Sequence, residues 1–192
     1  MSAAVLLFAL TFVWQALKPL RGFFAIIAVI YLVTTVVDPW VLRSASWQGI
    51  LEGAFPLVTL FGERVLIALE ALIVVAALFL LGLKQRDAFL TTGNLATPVG
   101  DVSLPGKKRP LTWLTFGPVV AFLLAGLFFT FIATQNSAAL AGFSAALPWL
   151  PLAVLSAALN AFGEEAMYRA APLAVLLPVV GPEHALWMTS VW

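Results

Sequence analysis

Long apolar runs separated by short polar clusters set the pattern of this chain. A helix that crosses a bilayer needs about 20 mostly apolar residues. Candidate spans fall at residues 2–17, 22–37, 65–83, 111–134 and 147–171, and a sixth begins near Glu183 and is incomplete at Trp192. The first two are short and separated only by residues 18–21, so a helical hairpin and a single broken element are both open. Residues 38–64 are mixed, with Trp40, Trp47, Phe55 and Phe61 among polar positions, the pattern of a segment lying in the headgroup plane. Residues 84–110 form the longest polar stretch and carry Gly93, Pro98, Gly100, Pro105 and Gly106, the composition of a loop without a packed core. The pattern predicts an all-α, polytopic transmembrane helical bundle of about five complete spans plus part of a sixth. Residues 1–110 hold the N-terminal helices, the interfacial segment and a basic loop, and residues 111–192 hold a second set of helices.

Composition agrees with lipid as the solvent. Of 192 residues, 62% are hydrophobic and 10% charged, against roughly 25% charged in a soluble domain. Mean hydropathy is +1.05. Cysteine is absent, which removes disulfides, thiolate metal sites and a cysteine nucleophile. A net charge of +1 gives no reason to expect nucleic acid. No basic residue precedes the apolar start, so residues 1–16 read as a retained helix rather than a cleaved signal. Basic residues in short loops stay on the cytoplasmic side. Lys84, Arg86, Lys107, Lys108 and Arg109 share one loop, Lys18 and Arg21 another, and residues 135–146 have none. Alternation then puts Lys18, Lys107 and Arg169 inside, and the chain start, Trp47 and Asn136 outside. Trp14, Trp40, Trp113 and Trp149 fall near span ends, as an aromatic belt requires.

The fifth span contains Asn160-Ala-Phe-Gly-Glu164-Glu165-Ala-Met-Tyr168-Arg169, followed by Pro172. Each ionisable group at the centre of a membrane helix costs about 2.5–3.5 kcal/mol, so three approach roughly 10 kcal/mol without compensation. Residues three or four apart share a helix face. Glu165 can therefore pair with Arg169, while Glu164, offset by about 100°, shares a face with Asn160 and Tyr168. Proline disfavours helical geometry at the residue before it. Glu164 is thus expected in the last two or three turns, beside the negative end of the helix dipole. The plain alternative is an interfacial charge cluster that anchors a helix end.

Glu164-Glu165-Ala-Met-Tyr168-Arg169 resembles the first motif of the CPBP intramembrane proteases, the family that includes the CAAX prenyl endopeptidases and bacterial relatives. It matches Glu-Glu-x-x-x-Arg at every fixed position, with an aromatic residue before the Arg, and the basic loop and Trp113 look like the region upstream. The resemblance covers about residues 111–192. It implies a bacterial cytoplasmic-membrane endopeptidase acting on a membrane-associated peptide or protein. Glu164 would activate water, with Glu165 and Arg169 orienting the site and Asn160 and Tyr168 supporting it. In the family, Phe-x-x-x-His and a further His motif follow on later helices. Here they are expected beyond Trp192, so the chain as given is not expected to cleave peptides by that mechanism. Zinc is open: members are often called metalloproteases, yet a glutamate and two histidines could activate water without metal. The rival expectation is a non-enzymatic accessory or scaffold subunit, or an immunity-type relative, packed against other membrane-protein subunits.

Other candidates are weaker. His184, the only histidine, follows Gly181-Pro182-Glu183, where a capped or solvated helix-start residue belongs. Glu70 stands alone in an apolar run; an intramembrane acid is a functional candidate, against a structural hydrogen bond or a later-starting span. Glu63 and Arg64 read as an interfacial helix start. Gly49 and Gly53 form one small-residue pair, too little to define helix packing. Gly142-Phe-Ser144-Ala145 approaches a rhomboid serine loop without its final Gly, and no His-Glu-x-x-His occurs.

Overall fold

The computed structural model describes residues 3–100, 111–135, 145 and 147–190. Among these the chain is helical, with no strand and one isolated antiparallel bridge between Pro98 and Thr112. Helix α1 (Ala3–Val13) ends at Trp14, whose backbone is extended. A 3₁₀ segment (Gln15–Leu20), α2 (Arg21–Leu32), a π-helical turn (Val33–Val37) and α3 (Asp38–Leu42) then run on without interruption. Next come α4 (Ala45–Leu51), α5 (Pro56–Leu80), α6 (Trp113–Gln135) and α7 (Leu150–Glu164). A second π-helical turn (Glu165–Ala170) joins α7 directly to α8 (Ala171–Val180), and α9 is Pro182–Ser190.

Packing groups these elements into two compact units, Met1–Thr91 with Trp149–Trp192, and Thr92–Pro148. In the first unit, α1 packs along α2, which selects the hairpin from the two options left by the short spans. Arg21 fastens it: its guanidinium donates to the Thr11 carbonyl at 3.0 Å and lies 4.1 Å from the centre of the Phe12 ring. The core is built from helical stripes spaced three and four apart: Ile26, Ile27, Ile30 and Val33 meet Ala71, Val74, Val75 and Leu78. Ala166 and Met167 of the second π turn, and Ala171, Ala174 and Val175 of α8, complete it. Helices α5 and α7 run parallel. Phe55 stacks on Trp149 at their starts, ring centres 4.8 Å apart, and Ile67 lies against Gly163 further along.

Helices cover all five apolar stretches, but their limits differ from the pattern's in three places. Helix α5 begins at Pro56, so Glu63 and Arg64 lie two turns inside it rather than at its start. Proline is tolerated in a first helical turn, where its missing N–H has no partner to lose. The predicted interfacial stretch is largely helical, with α4 capped by Ser44, whose hydroxyl accepts the Trp47 N–H at 3.2 Å. The third difference is at Pro172, where the helix was expected to stop. It continues to Val180 and ends at Gly181, whose φ of 78° breaks the helix.

The π turn explains how. A proline inside an α-helix lacks a donor and clashes with the carbonyl four residues back. In the π turn the Ala171 N–H reaches the Ala166 carbonyl, five residues back, and the widened turn admits Pro172. The same device precedes Pro39, where the Asp38 N–H reaches the Val33 carbonyl.

Among the described residues, two helices are long and apolar enough to cross a membrane: Gln15–Leu42 and Trp113–Gln135. Helix α5 and the run 150–180 have the length but carry Glu63, Arg64 and Glu70, and Glu164, Glu165 and Arg169, respectively. In the second unit, no residue of α6 is buried; Phe122 is 80% exposed. A helix that is apolar all round needs lipid or another apolar cover.

Candidate functional site

The Glu164 region starts from a close helix contact. A Cβ placed on Gly163 would overlap the Ile67 Cγ2 methyl and lie 3.5 Å from the Ile67 carbonyl oxygen. Glycine is therefore what lets α5 press against α7 one residue before Glu164. With Gly163 turned to the core, Glu164 and Glu165 face outward, and both pairings given by four-residue spacing are present. Asn160 Nδ2 donates to Glu164 Oε1 at 2.9 Å, and Arg169 donates to Glu165 Oε2 at 3.0 Å. The Glu165–Arg169 side chains are 57% and 69% exposed. In water such a pair is worth no more than about 1 kcal/mol, so it is a weak reason for the fold to keep these residues.

Glu164, Glu165, Tyr168 and Arg169 line one side of an open cleft of ≈ 870 Å³, and Leu186, Thr189 and Ser190 of α9 line the other. Carboxylate, phenol, guanidinium and hydroxyl thus converge on one space. The helix-end argument for Glu164 does not hold, because α8 continues the helix beyond it and the dipole's negative end lies near Gly181.

Glu70 is the better-hidden acid. It is 2% exposed, and its Oε1 has no hydrogen-bond partner among the described residues. It lies one turn on from Ile67, beside the second π turn, which packs on α5. Asp38 acts electrostatically on Glu70, and Tyr168 feels Glu70, Glu164 and Asp38 together. Asp38 was not singled out by sequence reasoning. Its signal was an acid directly before a proline at the end of an apolar run, but nothing local linked it to Glu70.

His184 lies exposed in the first turn of α9, away from any cluster of ligands. Among the described residues no group of three or more His, Asp or Glu is placed to hold a metal. The described side chains do not by themselves fit a zinc site. Gly142 and Ser144, Lys107, Lys108 and Arg109, and Asn136 lie outside the described residues. Compared with protein-family models, curated proteins and solved structures, the chain matches none.

Proposed function

We propose that the chain is an integral membrane protein, a polytopic bundle of about five complete spans plus part of a sixth, whose Glu164 cleft belongs to a CPBP-type endopeptidase of the cytoplasmic membrane face. The observation that carries the reading is the Asn160–Glu164 hydrogen bond beside an open cleft that Glu164 lines together with the ion-paired Glu165 and Arg169. A carboxylate held at one oxygen presents the other to a water molecule, which a general base needs. Arg169, tied to Glu165, adds a fixed positive charge facing the same cleft, useful where a peptide carbonyl gains negative charge. By the resemblance, imidazoles of the family's later motifs complete the proton transfers. The substrate is a membrane-associated peptide or protein that reaches the cleft from the lipid side.

Two experiments test this. The absence of cysteine permits single-cysteine labelling in intact cells and inverted vesicles. Cysteines at Lys84 or Lys108 are expected to label from the cytoplasmic side and one at Asn136 from the other; the reverse pattern sinks the orientation. For the chemistry, the full natural chain in proteoliposomes is offered membrane-tethered peptides and cleavage is followed by mass spectrometry. Glu164→Gln is expected to lower cleavage by about 10²–10⁴-fold, the usual contribution of a general base. Glu183→Gln is expected to leave cleavage unchanged. Peptides left intact by the full chain favour the accessory-subunit reading.

A further inference from the structure

The apolar helical run Gln15–Leu42, long enough to cross a membrane, is followed at once by a charge, Arg43. At 1.5 Å per residue its 28 residues measure roughly 42 Å, and a bilayer with its headgroups is about 40–45 Å thick. A chain that spans on this helix therefore holds Arg43 at the level of the headgroup phosphates.

A groove of ≈ 520 Å³ lies along the last turns of the same run, lined by Thr35, Val36, Pro39, Trp40, Arg43 and Ser44. Four-residue spacing puts Val36 with Trp40, and Pro39 with Arg43, on one face. Val36 is 54% and Trp40 74% exposed, so the first unit leaves this strip bare. The two hydroxyls in the groove are committed: Thr35 donates to the Tyr31 carbonyl, and Ser44 donates to the Val41 carbonyl while accepting the Trp47 N–H. The exposed Arg43 side chain has neither an ion pair nor a hydrogen bond among the described residues. A cation after a helix C-terminus answers the helix dipole, which accounts for the charge but not for the bare groove beside it.

The occupant must join an anion to an apolar tail. Val36 lies seven residues before Arg43, about 10 Å along the axis, and so within the hydrocarbon when the guanidinium is among the phosphates. A free phosphate would satisfy Arg43 and leave Val36 and Trp40 uncovered; a bare hydrocarbon chain would do the reverse. We propose that this groove binds one phospholipid, with its phosphate on Arg43 and an acyl chain along Val36 and Trp40. The fork of the guanidinium matches two phosphate oxygens, and a tryptophan ring suits the boundary between headgroup and chain. The inference rests on the membrane-protein reading above and not on the peptidase one.

The test titrates the full natural chain, purified in nonionic detergent, with dioleoylphosphatidylglycerol and counts bound lipids by native mass spectrometry. Wild type is expected to hold one lipid more tightly than any other. Arg43→Gln is expected to weaken that lipid about tenfold, the loss of a charge-assisted hydrogen bond. Val36→Trp, which fills the groove and keeps the charge, is expected to weaken it as well. Lys18→Gln, toward the other end of the same run, is expected to leave it unchanged, and glycerol 3-phosphate, the anion without chains, is expected not to displace it. Equal losses in Arg43→Gln and Lys18→Gln mean diffuse surface charge, and full displacement by glycerol 3-phosphate means a phosphate site alone. Either result overturns the proposal, as does a wild type without a tight lipid or a tight lipid indifferent to both Arg43→Gln and Val36→Trp. Release of the chain from vesicles by alkaline carbonate sinks the membrane reading itself, a result separate from the lipid titration.

Discussion

Gly163→Ala tests the contact that positions Glu164, and its sign is expected to reverse with the residue opposite. In isolation the change favours the helix, because glycine in a helix interior is about 0.5–1 kcal/mol worse than alanine. Here the new methyl would land on Ile67 Cγ2. That atom sits directly on a β-branched carbon, whose χ1 has one strongly preferred setting in a helix, and the Ile67 carbonyl oxygen 3.5 Å away closes the other route of escape. The helices must separate, at the cost of overpacking, about 1–3 kcal/mol. Net destabilisation of about 1–2 kcal/mol is expected. In an Ile67→Ala background the obstructing methyl is gone, and Gly163→Ala should stabilise by about 0.5–1 kcal/mol, the propensity gain alone. The assay is SDS-titrated unfolding in mixed micelles, followed by tryptophan fluorescence, on the four proteins of the double-mutant cycle. An effect of the same sign and size in both backgrounds refutes the close approach of α5 and α7.

The exposed Glu165–Arg169 pair should be nearly dispensable for folding: Arg169→Met is expected to change unfolding free energy by under about 1 kcal/mol, measured by the same titration. If cleavage also survives in Arg169→Met, the orienting role is wrong. Gly181 has φ 78° and ψ 168° with open space around its Cβ position, so any penalty there is backbone strain. Gly181→Ala is expected to cost about 1–3 kcal/mol, and a neutral result would mean the helix end adopts another conformation.

The chemistry was legible where it is local. Four-residue spacing gave the Asn160–Glu164 and Glu165–Arg169 pairs, because a π turn still leaves residues four apart close to one face. Glu70 was legible as an acid in an apolar run, but its burial was not: α2 and the second π turn, both far from it in sequence, pack against α5 and hide it. Gly163 was invisible for the same reason, since its demand comes from Ile67. The limits of the helices failed where proline was read as a stop. A π turn two residues upstream changes that reading, and apolar periodicity carries no signal that distinguishes it from an α turn.

That failure makes a prediction of its own about Pro172. If residues 165–172 were a regular α-helix, the proline would cost about 3 kcal/mol or more and its removal would recover that amount. The structure has already relieved the clash by passing the Ala171 N–H to the Ala166 carbonyl. The core is built to that register: Ala166 and Met167 before the bond, and Ala171, Ala174 and Val175 after it, bury together against α2 and α5. Returning the turn to α geometry would rotate one group against the other by about 100°, the angle of one residue, and turn part of it out of the core. Pro172→Ala is therefore expected to keep the π turn and to gain less than about 1 kcal/mol in the SDS titration. A gain near 3 kcal/mol would show that proline alone imposes the turn. The side chains of Tyr168 and Arg169 would then owe their direction to Pro172 and not to the packing beneath them.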